Sequence, residues 1–263
     1  MKIEEVIRAL EQFAPLPLQE DFDNAGLQVG LTRASEVSGA LLCLDVTERV
    51  VEEAIAKDCN LIVSHHPLIF HKLRALTASD YVQRAAIKAI RNDVAIVSMH
   101  TNMDEALGGV NHKIAEKLGL SEPHFFGKTK EVEGVTAGEG VIARYQEPIS
   151  SAEFTRRVKE TFRVKCLQTN EPLKRPVTKV AICGGAGAFL LQDAIAAGAD
   201  AFITGEMRYH EYFGHEQEIQ ICVMGHYQSE QYTAEIFRDI IRSRCPDVRC
   251  VMSEIDTNPV FYV

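Results

Sequence analysis

The chain has 263 residues, of which 46% are hydrophobic and 25% are charged, and its formal net charge at pH 7 is −9. This composition is typical of globular proteins and leaves room for one large domain or two smaller ones, and no apolar run is long enough to span a bilayer. The acidic balance and the absence of tryptophan argue against a general nucleic-acid-binding protein.

Strand-like and helix-like segments alternate through the first half of the chain. Short β-branched runs predict buried strands, and longer amphipathic runs predict helices. The predicted elements are a strand at 39–46, a helix at 47–59 opening on Thr47, a strand at 61–66, a helix at 80–93, a strand at 94–98 and a helix at 108–120. This order predicts βαβ units in a mostly parallel or mixed sheet with helices on its faces.

A second unit of the same rhythm starts near residue 125. Its predicted elements are a strand at 139–146, a helix at 150–162 capped by Ser150 or Ser151, strands at 164–170 and 177–185, a helix at 188–199, strands at 201–206 and 218–226, a helix at 228–245 and a final strand at 248–255. In both halves a strand, a helix and a second strand ending in polar residues follow one another. We therefore expect two related α/β units.

The seven cysteines are scattered and include no CxxC pair. This pattern argues against a disulfide framework and against a thiolate zinc site, and it favours a reducing cytoplasm.

Metal-ligand residue types follow several of the predicted strands. In open α/β sheets this is the edge where ligands gather. The residues at these strand ends are His65, His66, His100, Asp104, Glu206, His210, His226 and Glu230. Charged groups at the ends of buried strands cost free energy unless they are paired or bind a metal, so the pattern favours a metal site.

Five of these residues are the best candidates for metal ligands: His65, His66, Asp104, His226 and Glu230. His226 and Glu230 share a helix face at i, i+4 spacing. The adjacent histidines would face opposite sides of a regular strand, so either the backbone turns before Pro67 or each ring serves its own ion. Both alternatives suit a two-metal site.

The other candidates have plainer interpretations. His100 is more readily a residue that orients a ligand than a ligand itself. The remaining histidines are expected to be surface or hydrogen-bonded residues. The glycine stretch 182–189 lacks the third glycine of a dinucleotide fingerprint and the lysine of a P-loop, so it indicates a tight strand-to-helix turn, with a phosphate at the helix N-terminus as the alternative.

Several of these segments together resemble a known family. The sequences are DNAGLQVG (23–30), SHHPLIF (64–70), HTNMD (100–104), TGEMRYH (204–210) and GHYQSE (225–230). They are similar to the signature segments of the Nif-three-like family, whose members are often named GTP cyclohydrolase 1 type 2 homologues. The resemblance spans almost the whole chain.

The resemblance implies two interlinked α/β domains with mixed sheets flanked by helices, a dinuclear metal centre and a toroidal homohexamer. We expect a first domain of residues 1–125 plus about 228–263 and a second domain of residues 126–227. Carried over by motif, the ligands fall on the same five residues, while the loop of residues 23–26 and the glycine turn take supporting roles. Imidazole and carboxylate ligands suit two divalent ions per chain from among Zn, Mn, Fe, Co and Ni.

The function that the resemblance implies is metal-dependent hydrolysis, in which activated water opens the guanine ring of GTP and formate leaves. No residue in the sequence specifies guanine, so the substrate rests on the family name. A phosphoesterase or amidohydrolase with the same ions, or a non-enzymatic metal-binding scaffold that binds a protein partner, are the alternatives. Neither a membrane nor a nucleic acid is an expected partner.

Overall fold

The computed structural model describes residues 1–30, 36–132 and 134–263. In chain order its helices are α1 (Ile3–Phe13), α2 (Glu48–Ala56), α3 (Tyr81–Arg91), α4 (Thr101–Glu105), α5 (Val110–Lys117), α6 (Ser151–Phe162), α7 (Leu191–Ala196), α8 (His226–Glu230) and α9 (Thr233–Arg244). Its strands are β1 (Gly26–Val29), β2 (Ala40–Cys43), β3 (Leu61–Ser64), β4 (Ala95–Ser98), β5 (Ser121–Val132), β6 (Val135–Ile149), β7 (Gln168–Thr169), β8 (Val177–Cys183), β9 (Ala201–Thr204), β10 (Gln220–Val223) and β11 (Cys250–Met252).

The chain forms two compact units, each with its own sheet. The first unit comprises residues 1–103 and 233–259, and the second comprises residues 104–232 and 260–263. The predicted α/β class with two mixed sheets flanked by helices is confirmed. The division differs from the predicted limits of 125 and 228, because α5 contacts β5, β6 and β8 and so belongs with the second sheet.

The sheet of the first unit has the strand order β1-β4-β3-β2-β11, with β1 antiparallel to β4 and the other neighbours parallel. Every residue of β2, β3 and β4 is buried, as expected for parallel strands covered on both faces. On one face, the side chains of Leu41, Ile62 and Ile96 share a core cluster with the apolar faces of α2 and α3. Helix α9 contacts β2 and β3 and also packs with α1.

The sheet of the second unit has the order β5-β6-β8-β9-β10-β7. Strands β8, β9 and β10 run parallel, and the remaining pairs are antiparallel. Phe202 and Ile221 join Leu190, Leu191 and Ala194 in its core cluster. The parallel strands, like those of the first unit, end at one edge of the sheet.

The structure differs from the predicted elements at several places, of which three bear on the architecture. Strand β5 was missed because most of its residues are exposed and do not alternate between apolar and polar. The predicted helix at 188–199 is a short 3-10 turn at Gly187–Leu190 followed by α7, and the predicted helix at 228–245 is divided into α8 and α9. Among the described residues, no helix combines the length and apolar character needed to cross a bilayer.

The two helix caps predicted from the sequence are confirmed. The Thr47 side chain accepts a hydrogen bond from the Val50 amide at the start of α2, and the Ser150 side chain accepts one from the Glu153 amide at the start of α6. Each cap pairs an amide that would otherwise lack a partner within the helix.

Removal of either cap should destabilise the unit that contains it. We expect Thr47→Ala and Ser150→Ala each to lower the free energy of unfolding by about 1 kcal/mol in chemical denaturation. Thr47→Ser keeps an acceptor oxygen at the same place and serves as the control. A Thr47→Ala variant that unfolds at the wild-type denaturant concentration would show that this cap does not contribute to stability.

Candidate functional site

The register of the parallel strands gathers chemically active residues at one edge of the first sheet. Ser64 of β3 pairs with Cys43 of β2 and with Ser98 of β4, so the three strands end side by side. The residues that follow them, 44–45, 65–66 and 99–100, therefore lie next to one another. Because β1 is antiparallel and Gly26 pairs with Ser98, the segment before β1 reaches the same edge.

The backbone beyond β3 explains how two adjacent histidines face one space. The amides of His65 and His66 both donate to the Leu44 carbonyl, at 3.1 and 3.0 Å, so the regular ladder stops at Ser64. The two ring centroids lie 4.9 Å apart, and the His100 ring lies 5.3 Å from His65 and 5.4 Å from His66. Of the two alternatives left open by the sequence, the backbone turn is the one that the structure shows.

Each of the three imidazoles donates its Nδ1–H to an acceptor. His65 Nδ1 lies 2.9 Å from the Met99 carbonyl oxygen, His66 Nδ1 lies 2.7 Å from Asp45 Oδ1, and His100 Nδ1 lies 2.7 Å from Asp23 Oδ1. Carbonyl and carboxylate oxygens accept only, so Nδ1 carries the proton and Nε2 carries the lone pair. This is the arrangement of histidines that bind a metal through Nε2 and are oriented by an outer acceptor.

The two carboxylates that orient the rings are themselves held. Thr257 donates its hydroxyl to Asp45 Oδ2 at 2.6 Å, and the Thr101 amide donates to Asp23 Oδ2 at 3.0 Å. Burial alone would raise the pKa of Asp23, but hydrogen bonds and charge from His100 and a hydrogen bond from Thr101 outweigh it and lower this pKa to about 2. Asp23 is therefore an anion at neutral pH.

The donor set of this edge fits a divalent cation. His65, His66 and His100 each offer a ring nitrogen, and these atoms all lie within 4.8 Å of one another. Neutral imidazoles suit Zn, Fe, Co and Ni, and no thiolate is present in the group. We call these three residues the trihistidine group. The sequence interpretation placed His100 outside the ligand set, whereas the structure places its ring beside the other two.

The second sheet gathers its own set of residues in the same way. Cys183 of β8, Thr204 of β9 and Val223 of β10 are in register. Each strand continues into a glycine: Gly205 donates its amide to the Gly185 carbonyl at 2.9 Å, and Gly225 donates to the Gly205 carbonyl at 3.1 Å. Helix α8 starts directly after Gly225 and carries the candidate ligands.

His226 lies between two carboxylates. Its Nε2 is 3.1 Å from Glu230 Oε2, one turn along α8, and its Nδ1 is 3.0 Å from Glu206 Oε1. The Glu230 side chain is only 4% exposed, whereas that of Glu206 is 59% exposed. Glu206 therefore orients the His226 ring through Nδ1, in the same way that Asp45 orients the His66 ring.

Two of these glycines are required by close approach. A Cβ on Gly205 would lie 2.6 Å from the Gly185 carbonyl oxygen and 2.9 Å from the His226 Cα, both backbone atoms. A Cβ on Gly185, whose φ is +59°, would lie 2.3 Å from Glu230 Oε1. The glycines therefore allow α8 to pack against the ends of β8 and β9.

Three amides of the glycine turn are hydrogen-bonded to side chains of the second unit. The amide of Gly184 donates to Asn111 Oδ1, that of Gly185 to Ser229 Oγ and that of Gly187 to Thr204 Oγ1. The interpretation as a tight strand-to-helix turn is the one that the structure supports. Burial raises the pKa of the neighbouring Cys183 thiol, so it remains protonated and is not a nucleophile.

Asn111 is a residue of this region that the sequence interpretation missed. It is buried on α5, its Oδ1 accepts from the Gly184 amide, and its Nδ2 donates to the carbonyls of Asp104 and Glu139. It thereby ties the segment carrying Asp104 to the end of β8. An asparagine at the start of an amphipathic helix gives no sequence signal for such a role.

The predicted ligands are divided between the two units. His65 and His66 lie in the first unit with His100, whereas Asp104, His226 and Glu230 lie in the second. Ligation by all five remains a prediction. His210 lies in ring contact with Tyr209 and Phe213, and His124 is exposed with its Nδ1 bonded to a neighbouring carbonyl, as expected for a surface residue.

Loss of the carboxylate behind His66 should weaken metal binding without removing a ligand. We expect Asp45→Ala to lower the affinity for zinc about 10–100-fold, because the ring loses the acceptor that sets its orientation and basicity. Competition with a chromophoric chelator measures the affinity. Asp247→Ala, which removes an exposed carboxylate of the same unit, is the control. Equal zinc affinity in the Asp45 and Asp247 variants would contradict this role.

Comparison with known proteins extends the likeness to the whole chain. A family model described as Duf34/NIF3 (NGG1p interacting factor 3) matches residues 1–259. A GTP cyclohydrolase 1 type 2 homolog from Clostridium perfringens is 33% identical over 265 residues, which cover 100% of both chains. One from Clostridium acetobutylicum is 33% identical over 232 residues, covering 88% of this chain and 85% of the relative.

Solved structures share the fold. A hypothetical protein of Staphylococcus aureus superposes with a TM-score of 0.88 at 26% identity, and a Bacillus cereus protein related to NIF3 superposes with a TM-score of 0.87 at 25% identity. Each alignment covers 100% of this chain and 99% of the solved chain. The similarity therefore includes both sheets and every segment that carries a candidate ligand.

Proposed function

This chain belongs to the Duf34/NIF3 family, and we propose that it is a hydrolase that depends on two divalent metal ions per chain. The proposed ligands are the five predicted from the sequence, His65, His66, Asp104, His226 and Glu230, together with His100, whose ring nitrogen lies within 4.8 Å of those of His65 and His66. The observation that carries the proposal is the trihistidine group, whose three rings each hydrogen-bond an acceptor through Nδ1 and whose ligand nitrogens lie within 4.8 Å of one another. One buried and two partly buried imidazoles with such outer partners are the arrangement expected around an ion.

The chemistry of the donor set is compatible with metal-dependent hydrolysis. Imidazole and carboxylate ligands without thiolate suit Zn, Mn, Fe, Co or Ni. Divalent ions in such surroundings supply Lewis acidity that activates water near neutral pH and polarises the bond to be cleaved. The protein residues contribute ligands of set orientation, which Asp23, Asp45 and Glu206 maintain through the Nδ1 atoms of three histidines.

Glu206 has a second role available because it is exposed. Its Oε1 accepts the His226 Nδ1 proton, and its side chain remains in contact with solvent. A carboxylate in this position orients the ring and can pass a proton between the ring edge and water. The buried Glu230 lacks this access to solvent and is better suited to ligation.

The proposed reaction is hydrolytic opening of the guanine ring of GTP with release of formate. The support for this substrate is the name carried by relatives that are 33% identical, GTP cyclohydrolase 1 type 2 homolog. The metal-ligand geometry would equally serve a phosphodiester or an amide. The substrate therefore needs a direct test, separate from the test of metal binding.

Metal content should depend on ligands from both units. We expect His65→Ala and Glu230→Ala each to reduce bound metal below two ions per chain, because each removes one ligand from a small set. Element-resolved mass spectrometry of the purified protein gives the stoichiometry, and X-ray fluorescence identifies the element. His124→Ala removes an exposed imidazole and should keep the wild-type content. Two ions per chain in both ligand variants would refute the assignment.

Turnover of GTP should release formate in proportion to the nucleotide consumed. We expect His65→Ala to lower the rate more than about 100-fold, since loss of a ligand should exceed the 10–100-fold cost of losing an outer partner. Formate is measured with a coupled dehydrogenase, and bis(p-nitrophenyl) phosphate is assayed in parallel. Hydrolysis of the phosphodiester without turnover of GTP would indicate a phosphoesterase and not a cyclohydrolase. No turnover of either substrate by metal-loaded protein would favour a metal-binding scaffold.

A further inference from the structure

A group of exposed aromatic rings follows β9 in the second unit. The 3-10 turn Tyr209–Tyr212 and the next residue carry the rings of Tyr209, His210 and Phe213. Tyr209 is 73% exposed and Phe213 is 57% exposed. Burying such rings is favourable, and single exposed rings are common on proteins, but three adjacent exposed rings form a continuous surface that requires an explanation.

The three rings touch one another. The centroids of Tyr209 and Phe213 lie 5.3 Å apart with planes at 77°, and those of Tyr209 and His210 lie 5.2 Å apart at 76°. His210 and Phe213 are stacked, with centroids 6.1 Å apart and planes at 30°. We call these three residues the ring platform. It presents ring faces in two orientations together with one imidazole that can hydrogen-bond.

The segment that carries the ring platform is held by other residues. Met207 and Tyr212 pack against the core of the second unit, and the Tyr212 hydroxyl donates to Gln168 Oε1 at 3.1 Å. The Arg208 amide donates to the Glu211 carboxylate at 2.6 Å, which closes the turn. Since these contacts anchor the turn, the exposed rings are not needed to hold it in place.

The ring platform lies a few residues beyond Glu206, the carboxylate that orients His226. Tyr209 is three residues beyond Glu206, so their Cα atoms are at most about 11 Å apart. The Glu206 carboxylate in turn accepts a hydrogen bond from His226. The ring platform and the carboxylate that orients His226 therefore lie on one short segment that follows β9.

We propose that the ring platform binds the planar nitrogen heterocycle of a nucleotide, with the base stacked on Tyr209 or Phe213. This inference rests on the proposed function and names the part of the substrate site that recognises the base. Stacking of bases on aromatic side chains is strong and tolerates different bases, because every base has a π-face. The His210 imidazole supplies an edge that can hydrogen-bond, and the exposed Arg208 supplies positive charge for a phosphate.

The experiment uses ATP as the equilibrium probe, because ATP offers a purine to stack on but no guanine ring to open. Calorimetry on the full-length, metal-loaded protein compares ATP with inorganic triphosphate. We expect Tyr209→Ala/Phe213→Ala to weaken ATP binding about tenfold or more and to leave triphosphate binding unchanged. Tyr209→Phe/Phe213→Tyr retains both rings and should bind ATP like the wild type. Tyr81→Ala, at a residue of the first unit that is also 57% exposed, is the control for loss of an exposed ring.

The outcomes separate this inference from the proposed hydrolase. Equal ATP affinity in the wild type and the double-alanine variant, or equal affinity of the wild type for ATP and triphosphate, would overturn the ring platform. A double-alanine variant whose only change is its oligomeric state in light scattering would also overturn the ring platform. If the double-alanine variant loses ATP binding but the wild type does not turn over GTP, the role of the ring platform is supported and the hydrolase is rejected. If the wild type turns over GTP and the double-alanine variant has the same KM and kcat, the hydrolase is supported and the role of the ring platform is rejected.

Discussion

The shared register of short parallel strands is the constraint on which the candidate site depends. In the first unit Cys43, Ser64 and Ser98 end their strands at one level, and the hydroxyls of Ser64 and Ser98 lie 2.8 Å apart. A shift of one residue in either pairing would move the following side chains to the other face of the sheet. The convergence of His65, His66 and His100 is therefore a property of the ladder and the core beneath it, rather than of the loops alone.

The second unit also places candidate ligands at the edge of its sheet, but it does so with glycines and a helix. Its strands end in glycines whose backbones pack against one another, and a Cβ at Gly205 would not fit between Gly185 and His226. The helix that carries His226 and Glu230 can therefore begin directly at the sheet edge. In the first unit the site residues lie on the strand extensions themselves, whereas in the second they lie on a helix, which explains why i, i+4 spacing is informative only for the second.

The sequence was sufficient for the class of fold and for placing polar residues at the ends of the strands, and its failures have physical causes. Buried parallel strands are continuous apolar runs, so β2, β3 and β4 and the polar residues after them could be located from the sequence. The register of the strands and the contacts between residues far apart in the chain could not be predicted from the sequence. Asp23 meets His100 across 77 residues, and Asp45 meets Thr257 across 212 residues, so neither pair has a local signature. The role of Asn111 was missed for the same reason, whereas β5 was missed because its mostly exposed residues leave no periodic pattern.

Charge balance would allow neutral ligands to suffice for a cation at the trihistidine group. Asp23 and Asp45 each lie one imidazole away from the space that the rings share, and the pKa of Asp23 is lowered to about 2 by the hydrogen bonds that hold it. Two carboxylates at that distance match the charge of a divalent cation without occupying its coordination positions. The rings transmit this charge, because donation from Nδ1 to an anion makes Nε2 a stronger electron donor. Such an arrangement could hold a divalent cation through the ring nitrogens of the trihistidine group, as the proposed hydrolase requires.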